Sequence, residues 1–212
     1  MKRLLAFGTI ALALAACGGN TDESKSLEEQ YEEAKALADS GRHKEAAIEF
    51  IKIIRLGLKE DREWIKANTA LGNSLFRLGL YDAAIESQSR VIKYFPDYPV
   101  PYSNRSWYLH AKGQYMDGIK DASKALELRP NYVQALNNRS LNYLGLGLYV
   151  NALQDADMAI QIDANHPEPY VNRATANKGL GRLLAACQDV TKARELGDVE
   201  IELEFPECLY FQ

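Results

Sequence analysis

Residues 71–92 read LGNSLFRLGLYDAAIESQSRVI, and residues 139–160 read RSLNYLGLGLYVNALQDADMAI. Each stretch contains two segments with apolar residues at helical spacing, and a glycine, Gly79 or Gly147, separates the two segments. This pattern predicts two helices joined by a tight turn, which is a helical hairpin. Glycines recur at the same place every 34 residues from Gly79 to Gly181. A fixed interval of this length indicates a repeated structural unit.

Counting from these glycines divides most of the chain into five units. The units are 27–60, 65–98, 99–132, 133–166 and 167–200. The interval from Gly41 to Gly79 is longer than the others, so residues 61–64 form an insertion, and Asp61 is a candidate N-cap for a lengthened helix after it. Small residues recur at the eighth and twentieth places of each unit, where they allow the two helices to approach closely. These pairs are Ala34 with Ala46, Gly72 with Ala84, Ser106 with Gly118, Ser140 with Ala152 and Ala174 with Ala186.

The recurring residues of these units resemble the tetratricopeptide repeat family. The match is best in the middle units, which carry Leu71-Gly72, Tyr81, Ala84 and Pro96, then Tyr115, Ala125 and Pro130, then Tyr149, Ala152 and Ala159. The resemblance covers residues 27–200. It implies an all-α fold, a right-handed superhelical solenoid of five helix-turn-helix units, with a groove lined by the first helix of each unit. Helices of this length are marginal alone, so their stability must come from stacking.

An Asn-Arg pair occurs once in each of the last three units, in NRS at 104–106, NRS at 138–140 and NRA at 172–174. The first two also match the acceptor pattern for N-glycosylation, but the interval of 34 indicates a role within the repeat. The arginine occupies the seventh place, which in the resembled family faces a neighbouring helix, and an unpaired buried cation is costly. The same three units carry an aspartate at the twenty-third place. We therefore predict structural ion pairs among Arg105, Arg139, Arg173, Asp121, Asp155 and Asp189; an anion-binding row is the alternative.

The asparagines occupy the sixth place, which faces the groove in the resembled family. Their row resembles the asparagine ladder in the repeat domain of O-linked GlcNAc transferases, where amides contact the main chain of an extended peptide. Solvated asparagines without a ligand are the alternative. Neighbouring aromatic and apolar residues favour binding of a protein or an extended peptide segment. The predicted groove residues are Asn73, Phe76, Asn104, Trp107, His110, Asn138, Leu141 and Asn172.

The N-terminus reads MKRLLAFGTIALALAAC over residues 1–17. Two cations followed by a short apolar run predict a signal peptide over residues 1–16. Leu-Ala-Ala before Cys17 resembles the bacterial lipobox, which implies that Cys17 carries lipid after cleavage; an ordinary secretory signal with an incidental cysteine is the alternative. Gly18 follows, where an aspartate would favour retention at the inner membrane, so we expect an outer-membrane lipoprotein facing the periplasm. Residues 17–26 form a flexible tether.

Composition and motifs exclude several classes of function. The chain has 25 basic and 29 acidic side chains, and a formal net charge of −4 does not suggest binding to nucleic acid. The three histidines lie in three different units, no phosphate-binding loop or pair of catalytic groups stands out, and we expect no metal, no cofactor and no enzymatic activity. The sequence predicts a membrane-anchored adaptor that helps to assemble or localise an envelope complex. A periplasmic lipoprotein that binds or cleaves cell-wall fragments is the alternative.

The C-terminal tail, residues 201–212, contains Cys208, and the last unit contains Cys187. Two cysteines in an oxidising compartment favour a disulfide that covers the last hairpin. Residues 199–205 read VEIELEF, and this alternation predicts an extended strand.

The lipobox generates a first prediction. Replacing Cys17 by serine removes the thiol that would accept the lipid, so Cys17→Ser should lose lipid attachment and cleavage after residue 16. Intact mass and membrane fractionation measure both effects. A variant with the parent's mass increment and membrane association would contradict the lipoprotein assignment.

Overall fold

The computed structural model of the chain describes residues 25–57, 62–198 and 205–210. Over these ranges the backbone forms ten α-helices and one short 3₁₀ helix, with no strand. The α-helices are α1 (Leu27–Asp39), α2 (His43–Leu56), α3 (Arg62–Arg77), α4 (Tyr81–Tyr94), α5 (Pro99–Ala111), α6 (Tyr115–Leu128), α7 (Val133–Gly145), α8 (Tyr149–Ile162), α9 (Glu168–Gly179) and α10 (Leu183–Glu195); the 3₁₀ helix spans Pro206–Tyr210. The predicted all-α repeat fold is confirmed. The signal peptide, Cys17, Asp61 and nearly all of the predicted strand lie outside the described residues.

The repeated glycines end the first helix of each hairpin. Gly113 and Gly147 have φ of 77° and 70°, a left-handed conformation that an L-residue with a side chain adopts at a cost. After Gly147, the amide of Leu148 donates to the carbonyl of Tyr143 at 2.9 Å, which closes a Schellman motif. The interval of 34 residues seen in the sequence is therefore the interval between helix ends.

The described residues divide into two compact units, one up to residue 80 and one from residue 81 onward. The division falls inside the repeat predicted at 65–98. In the N-terminal unit, helices α1, α2 and α3 pack on one another in sequence order, and α1 also contacts α3. Phe50, Ile53 and Trp64 are its largest buried apolar side chains. Helix α3 begins at Arg62, so it includes part of the predicted insertion.

The C-terminal unit contains α4 to α10, and each helix packs on the next. The small residues at the eighth and twentieth places are buried between the two helices of a hairpin. Ser106 Oγ donates to the carbonyl of Gly118 at 2.8 Å, and Ser140 Oγ donates to the carbonyl of Ala152 at 2.8 Å. Gly118 cannot carry a side chain here, because a Cβ would overlap the buried amide of Asn142. Small residues thus permit close approach and also supply polar contacts within the core.

Three arginines tie the hairpins of the C-terminal unit together. Arg139 on α7 places Nε and Nη2 each 2.8 Å from the carboxylate of Asp155 on α8, and its Nη1 donates to Ser123 Oγ on α6 at 3.1 Å. One side chain therefore connects both helices of its own hairpin with the second helix of the preceding hairpin. A bidentate contact of this kind is among the stronger hydrogen-bonded ion pairs.

The same arrangement recurs one unit earlier and one unit later. Arg105 contacts Asp121 at 2.6 and 2.8 Å and donates to Ser89 Oγ at 2.9 Å. Arg173 contacts Asp189 at 2.6 Å, and there the preceding hairpin supplies a second carboxylate, Asp157, at 2.8 Å. The hydrogen bonds to Asp189, then those to Asp157, raise the pKa of Arg173 against the effect of burial. The residues that the preceding hairpins supply to these arginines, Ser89, Ser123 and Asp157, were not predicted from the sequence.

The C-terminal segment covers the last hairpin. Phe205 is buried in a cluster with Tyr170, Ala174, Ala186, Val190 and Ala193. A disulfide joins Cys187 on α10 to Cys208, 21 positions later. This face of α9 and α10 is the one that a further repeat would cover, and the tail keeps its apolar residues from water.

A second prediction concerns the arginine contacts. The Arg139 side chain is 21% exposed and that of Asp155 is 4% exposed, so Arg139→Leu leaves a buried carboxylate without its partner. We expect a loss of about 3 kcal/mol in the free energy of unfolding, the lower end of the range for buried pairs. Urea denaturation measures it. Adding Asp155→Leu should restore most of the loss.

Lys120 offers a matched control, because it pairs with Asp117 at 3.2 Å on the surface and both side chains are more than half exposed. Lys120→Leu should change the free energy of unfolding by less than about 1 kcal/mol. If Lys120→Leu and Arg139→Leu lowered the free energy of unfolding equally, the contacts of Arg139 between hairpins would not be stabilising in the way proposed.

A third prediction concerns the tail. Cys208→Ser opens the loop closed by the disulfide, and the chain-entropy estimate for a loop of this size is about 3 kcal/mol. Urea denaturation without reductant should show that loss, and the parent protein in reductant should behave like the variant. A parent whose midpoint does not respond to reductant would contradict a stabilising role for the disulfide.

Candidate protein-binding face

The first helices of three successive hairpins lie side by side in the C-terminal unit. Helix α7 contacts α5 on one side and α9 on the other. Residues at equal places in these helices therefore form rows across a shared face, which we call the inner face (α5, α7 and α9). This face is where the sequence predicts the groove, and most of the predicted binding residues lie on these three helices.

Aromatic and aliphatic side chains occupy the centre of the inner face. Trp107 and His110 on α5 and Leu141 and Leu144 on α7 are each partly buried and partly open to solvent. The Trp107 ring lies 5.8 Å from the ring of Tyr108, which is fully buried. A side chain held on one edge and accessible on the other loses little conformational freedom on binding, which is why such residues are effective anchors.

His110 contributes a neutral polar group. Its ring lies 5.2 Å from the ring of Tyr115, and burial lowers the pKa of His110. Its Nδ1 is buried and has no hydrogen-bond partner among the residues that the structure describes. Since the ordinary pKa of histidine is already below 7, the side chain is uncharged at neutral pH.

Two of the three asparagines differ from the prediction. Asn138 is buried, and its Nδ2 donates to the carbonyl of Ser103 at 2.8 Å and to Ser103 Oγ at 3.0 Å. Asn172 is also buried, and its Nδ2 donates to the carbonyl of Asn137 at 3.3 Å. The Nδ2 of each asparagine donates between neighbouring first helices, and burial of both side chains limits their access to the main chain of a bound peptide. The ladder in its predicted form is thus corrected at these two positions.

Asn104 is the exception in this row. Its side chain is partly exposed, and it makes no hydrogen bond with any residue in the described part of the chain. It can still donate to and accept from a ligand. Asn73 and Phe76 lie on α3 in the N-terminal unit, where Asn73 is exposed and Phe76 is partly buried. They therefore do not belong to the inner face.

The tail borders the inner face at α9. Lys178 Nζ lies 2.7 Å from Glu207 Oε1 and 4.8 Å from the centre of the Phe205 ring. Lys178 is at the same place in its helix as His110 and Leu144. Apart from the cysteine that attaches the tail, nothing in the sequence indicated that the tail would reach this row.

Groups that could hold a metal ion are absent from residues 25–57, 62–198 and 205–210, where no three His, Cys, Asp or Glu side chains converge. His43, His110 and His166 lie on or beside different hairpins. Within the same ranges, no helix has the length and apolar character needed to cross a membrane. The groups that the inner face offers to a ligand are thus aromatic and aliphatic side chains and a small number of amides.

Comparison with known proteins identifies the repeats. Family models described as tetratricopeptide repeat match residues 65–98 and 103–167. These residues are tetratricopeptide repeats, as their motif residues predicted. No curated protein matches the chain.

Solved structures agree on the fold. A thermophilic tetratricopeptide protein of Thermus thermophilus, TTC0263, is 21% identical with a TM-score of 0.73, and the match covers 87% of this chain and 100% of that one. MamA from Desulfovibrio magneticus RS-1, residues 41 to the end, is 17% identical with a TM-score of 0.65, covering 80% of this chain and 94% of its own. Identity at this level establishes the fold alone.

Proposed function

We propose that this protein is an adaptor that binds a partner protein on the inner face and holds it at the bacterial outer membrane through a lipid on Cys17. The observation that carries the proposal is the row of partly exposed Trp107, His110, Leu141 and Leu144 on adjacent, closely packed helices. Tetratricopeptide hairpins supply a scaffold, and the residues that do not repeat from unit to unit supply the specificity. The adaptor supports assembly or localisation of an envelope complex in the periplasm.

The lipid anchor is supported by the sequence Leu-Ala-Ala-Cys at residues 14–17, which follows a short apolar run with Lys2 and Arg3 before it. Several acyl chains together give stable anchoring, whereas a single chain is marginal. The first described residue, Lys25, is eight positions from Cys17, which limits the reach of the tether to roughly 30 Å. The partner is therefore held close to the bilayer.

The burial of Asn138 and Asn172 changes the kind of recognition expected. A ladder of open amides would bind almost any extended main chain, whereas in this row only Asn104 is partly exposed, beside a tryptophan, a neutral imidazole and two leucines. An aromatic or aliphatic side chain of the partner should pack against Trp107, and Asn104 should bond the partner's main chain nearby. Selectivity then depends on side-chain packing.

A fourth prediction tests this site. A photoreactive residue at Leu144 should crosslink the partner in cells, whereas the same residue at Met158, an exposed apolar position on α8, should not. With the partner identified, Trp107→Ala should weaken binding by about 2 kcal/mol or more, as truncation of a central aromatic anchor does. Asn104→Ala should weaken it by about 0.5 to 1.5 kcal/mol without lowering stability. Calorimetric titration and urea denaturation provide the two measurements.

Asn138→Ala is the matched control for Asn104→Ala, because it removes the same amide from the next helix. It should lower the free energy of unfolding, since the Ser103 carbonyl loses a buried donor. Met158→Ala should leave affinity unchanged. If folded Trp107→Ala binds the partner as tightly as the parent, the partner does not occupy the inner face.

A further inference from the structure

The turns of the last two hairpins carry exposed aliphatic side chains. Leu146, Leu148 and Val150 are 39%, 44% and 57% exposed at the turn from α7 to α8, and Leu184 is 62% exposed at the start of α10. Turns are the parts of a repeat that water reaches most easily, and polar residues are usual there. We call this surface the turn edge (residues 146–150 and 180–184).

The two turns lie next to each other. Gly179, at the end of α9, packs against the ring of Tyr149 at the start of α8, so closely that a Cβ would overlap it. Gly145, at the end of α7, packs in the same way against Tyr115 at the start of α6. Met116, which follows Tyr115, is also 58% exposed, but the exposed carboxylate of Asp117 beside it separates this third hairpin from the aliphatic surface.

Charge also distinguishes the turn edge from the rest of the protein. Helices α2, α4 and α6 each have a carboxylate in the first turn, namely Glu45, Asp82 and Asp117, whereas α8 and α10 have none. Residues 143–154 contain no charged side chain, and residues 178–188 contain only Lys178 and Arg182. In a chain with net charge −4, this surface has no negative charge and one exposed arginine, Arg182.

We propose that the turn edge rests on the interface of a phospholipid bilayer, with Leu148, Val150 and Leu184 at the boundary of the acyl chains and Arg182 at the level of the phosphates. Aliphatic side chains on neighbouring turns need no complementary pocket, and a fluid apolar phase accommodates them. The absence of carboxylates removes the repulsion that the acidic chain would otherwise meet at anionic lipid, and a guanidinium binds phosphate well. This contact goes beyond the adaptor function and rests on the proposed anchor as the reason that the protein is attached to a bilayer.

Helix α8 provides its own control. Val150 lies in its first turn and Ile162, which is 41% exposed, is its last residue. A helix of 14 residues is about 20 Å long, so the two positions sample different depths if the turn edge meets the membrane. Both are exposed, aliphatic and on one rigid element.

The test uses the full-length protein with Val150→Cys or Ile162→Cys, labelled with a polarity-sensitive fluorophore and placed in vesicles of phosphatidylethanolamine and phosphatidylglycerol. Cys187 and Cys208 are bonded to each other, so they do not react with the label, and the parent protein labelled in parallel gives the contribution of any Cys17 thiol that carries no lipid. We expect a blue-shifted, several-fold brighter signal at position 150 that lipids with a nitroxide near the headgroup quench. The label at position 162 should remain in a polar environment and unquenched.

Leu184→Glu in the Val150→Cys protein should abolish the blue shift, and Leu148→Gln serves as a milder second variant if Leu184→Glu impairs folding. Equal signals from positions 150 and 162 would overturn the proposal. So would a blue shift at position 150 that grows with protein concentration in the absence of vesicles, because a second copy would then cover the turn edge. Mass spectrometry of residue 17 reports separately on the lipid anchor, so failure of the anchor and failure of the turn edge are distinguishable.

Discussion

The contact of an arginine with three helices is the interaction on which the C-terminal unit depends. Short helices with alanine and glycine between them can slide, because small apolar contacts specify distance better than register. Arg139 removes this freedom, since its guanidinium must meet Asp155 in its own hairpin and Ser123 in the preceding one. Arg105 and Arg173 repeat the constraint, so neighbouring hairpins acquire the same relative position.

That position explains why the asparagines are not a ladder. Adjacent helical residues point about 100° apart, so an arginine directed at the second helices places the preceding asparagine at the seam between first helices. At this seam Asn138 meets Ser103, and Asn172 meets the carbonyl of Asn137. In the last two units, the repeated Asn-Arg pair therefore mainly makes contacts between the helices of the fold. Recognition falls to places where the units differ, such as Trp107, Leu141 and Thr175, which occupy the same place in the first helices of three successive hairpins.

The sequence predicted the features that follow from a regular spacing of residues or from two residue types that occur in the same units. Glycines at a fixed interval indicated the hairpins, and arginine and aspartate in the same units indicated ion pairs, although the sequence left open whether Arg139 pairs with Asp155 or with Asp121. It could not predict the third partner, because Ser89, Ser123 and Asp157 share only a small polar side chain and their role depends on where the preceding hairpin lies. The burial of Asn138 likewise depends on a close approach between helices that are 35 residues apart in sequence. The sequence shows leucines at 146 and 148 but not whether they are packed against other residues. Their exposure to solvent is known only from the folded chain.

The inner face and the turn edge are formed by different residues of the same hairpins, and Leu144 on the inner face is two positions from Leu146 on the turn edge. On both proposals, a bilayer under the turn edge makes α7 and α9 stand away from the membrane, because these helices end at the turns. The row from α5 through α7 to α9 crosses the helices and therefore runs parallel to the membrane surface. A partner segment bound along this row would lie within about 20 Å of the bilayer, the length of one helix, and would follow its plane. Such a geometry suits a segment that emerges from a membrane-attached protein and runs along the surface, and it is less suited to a chain that projects straight into the periplasm.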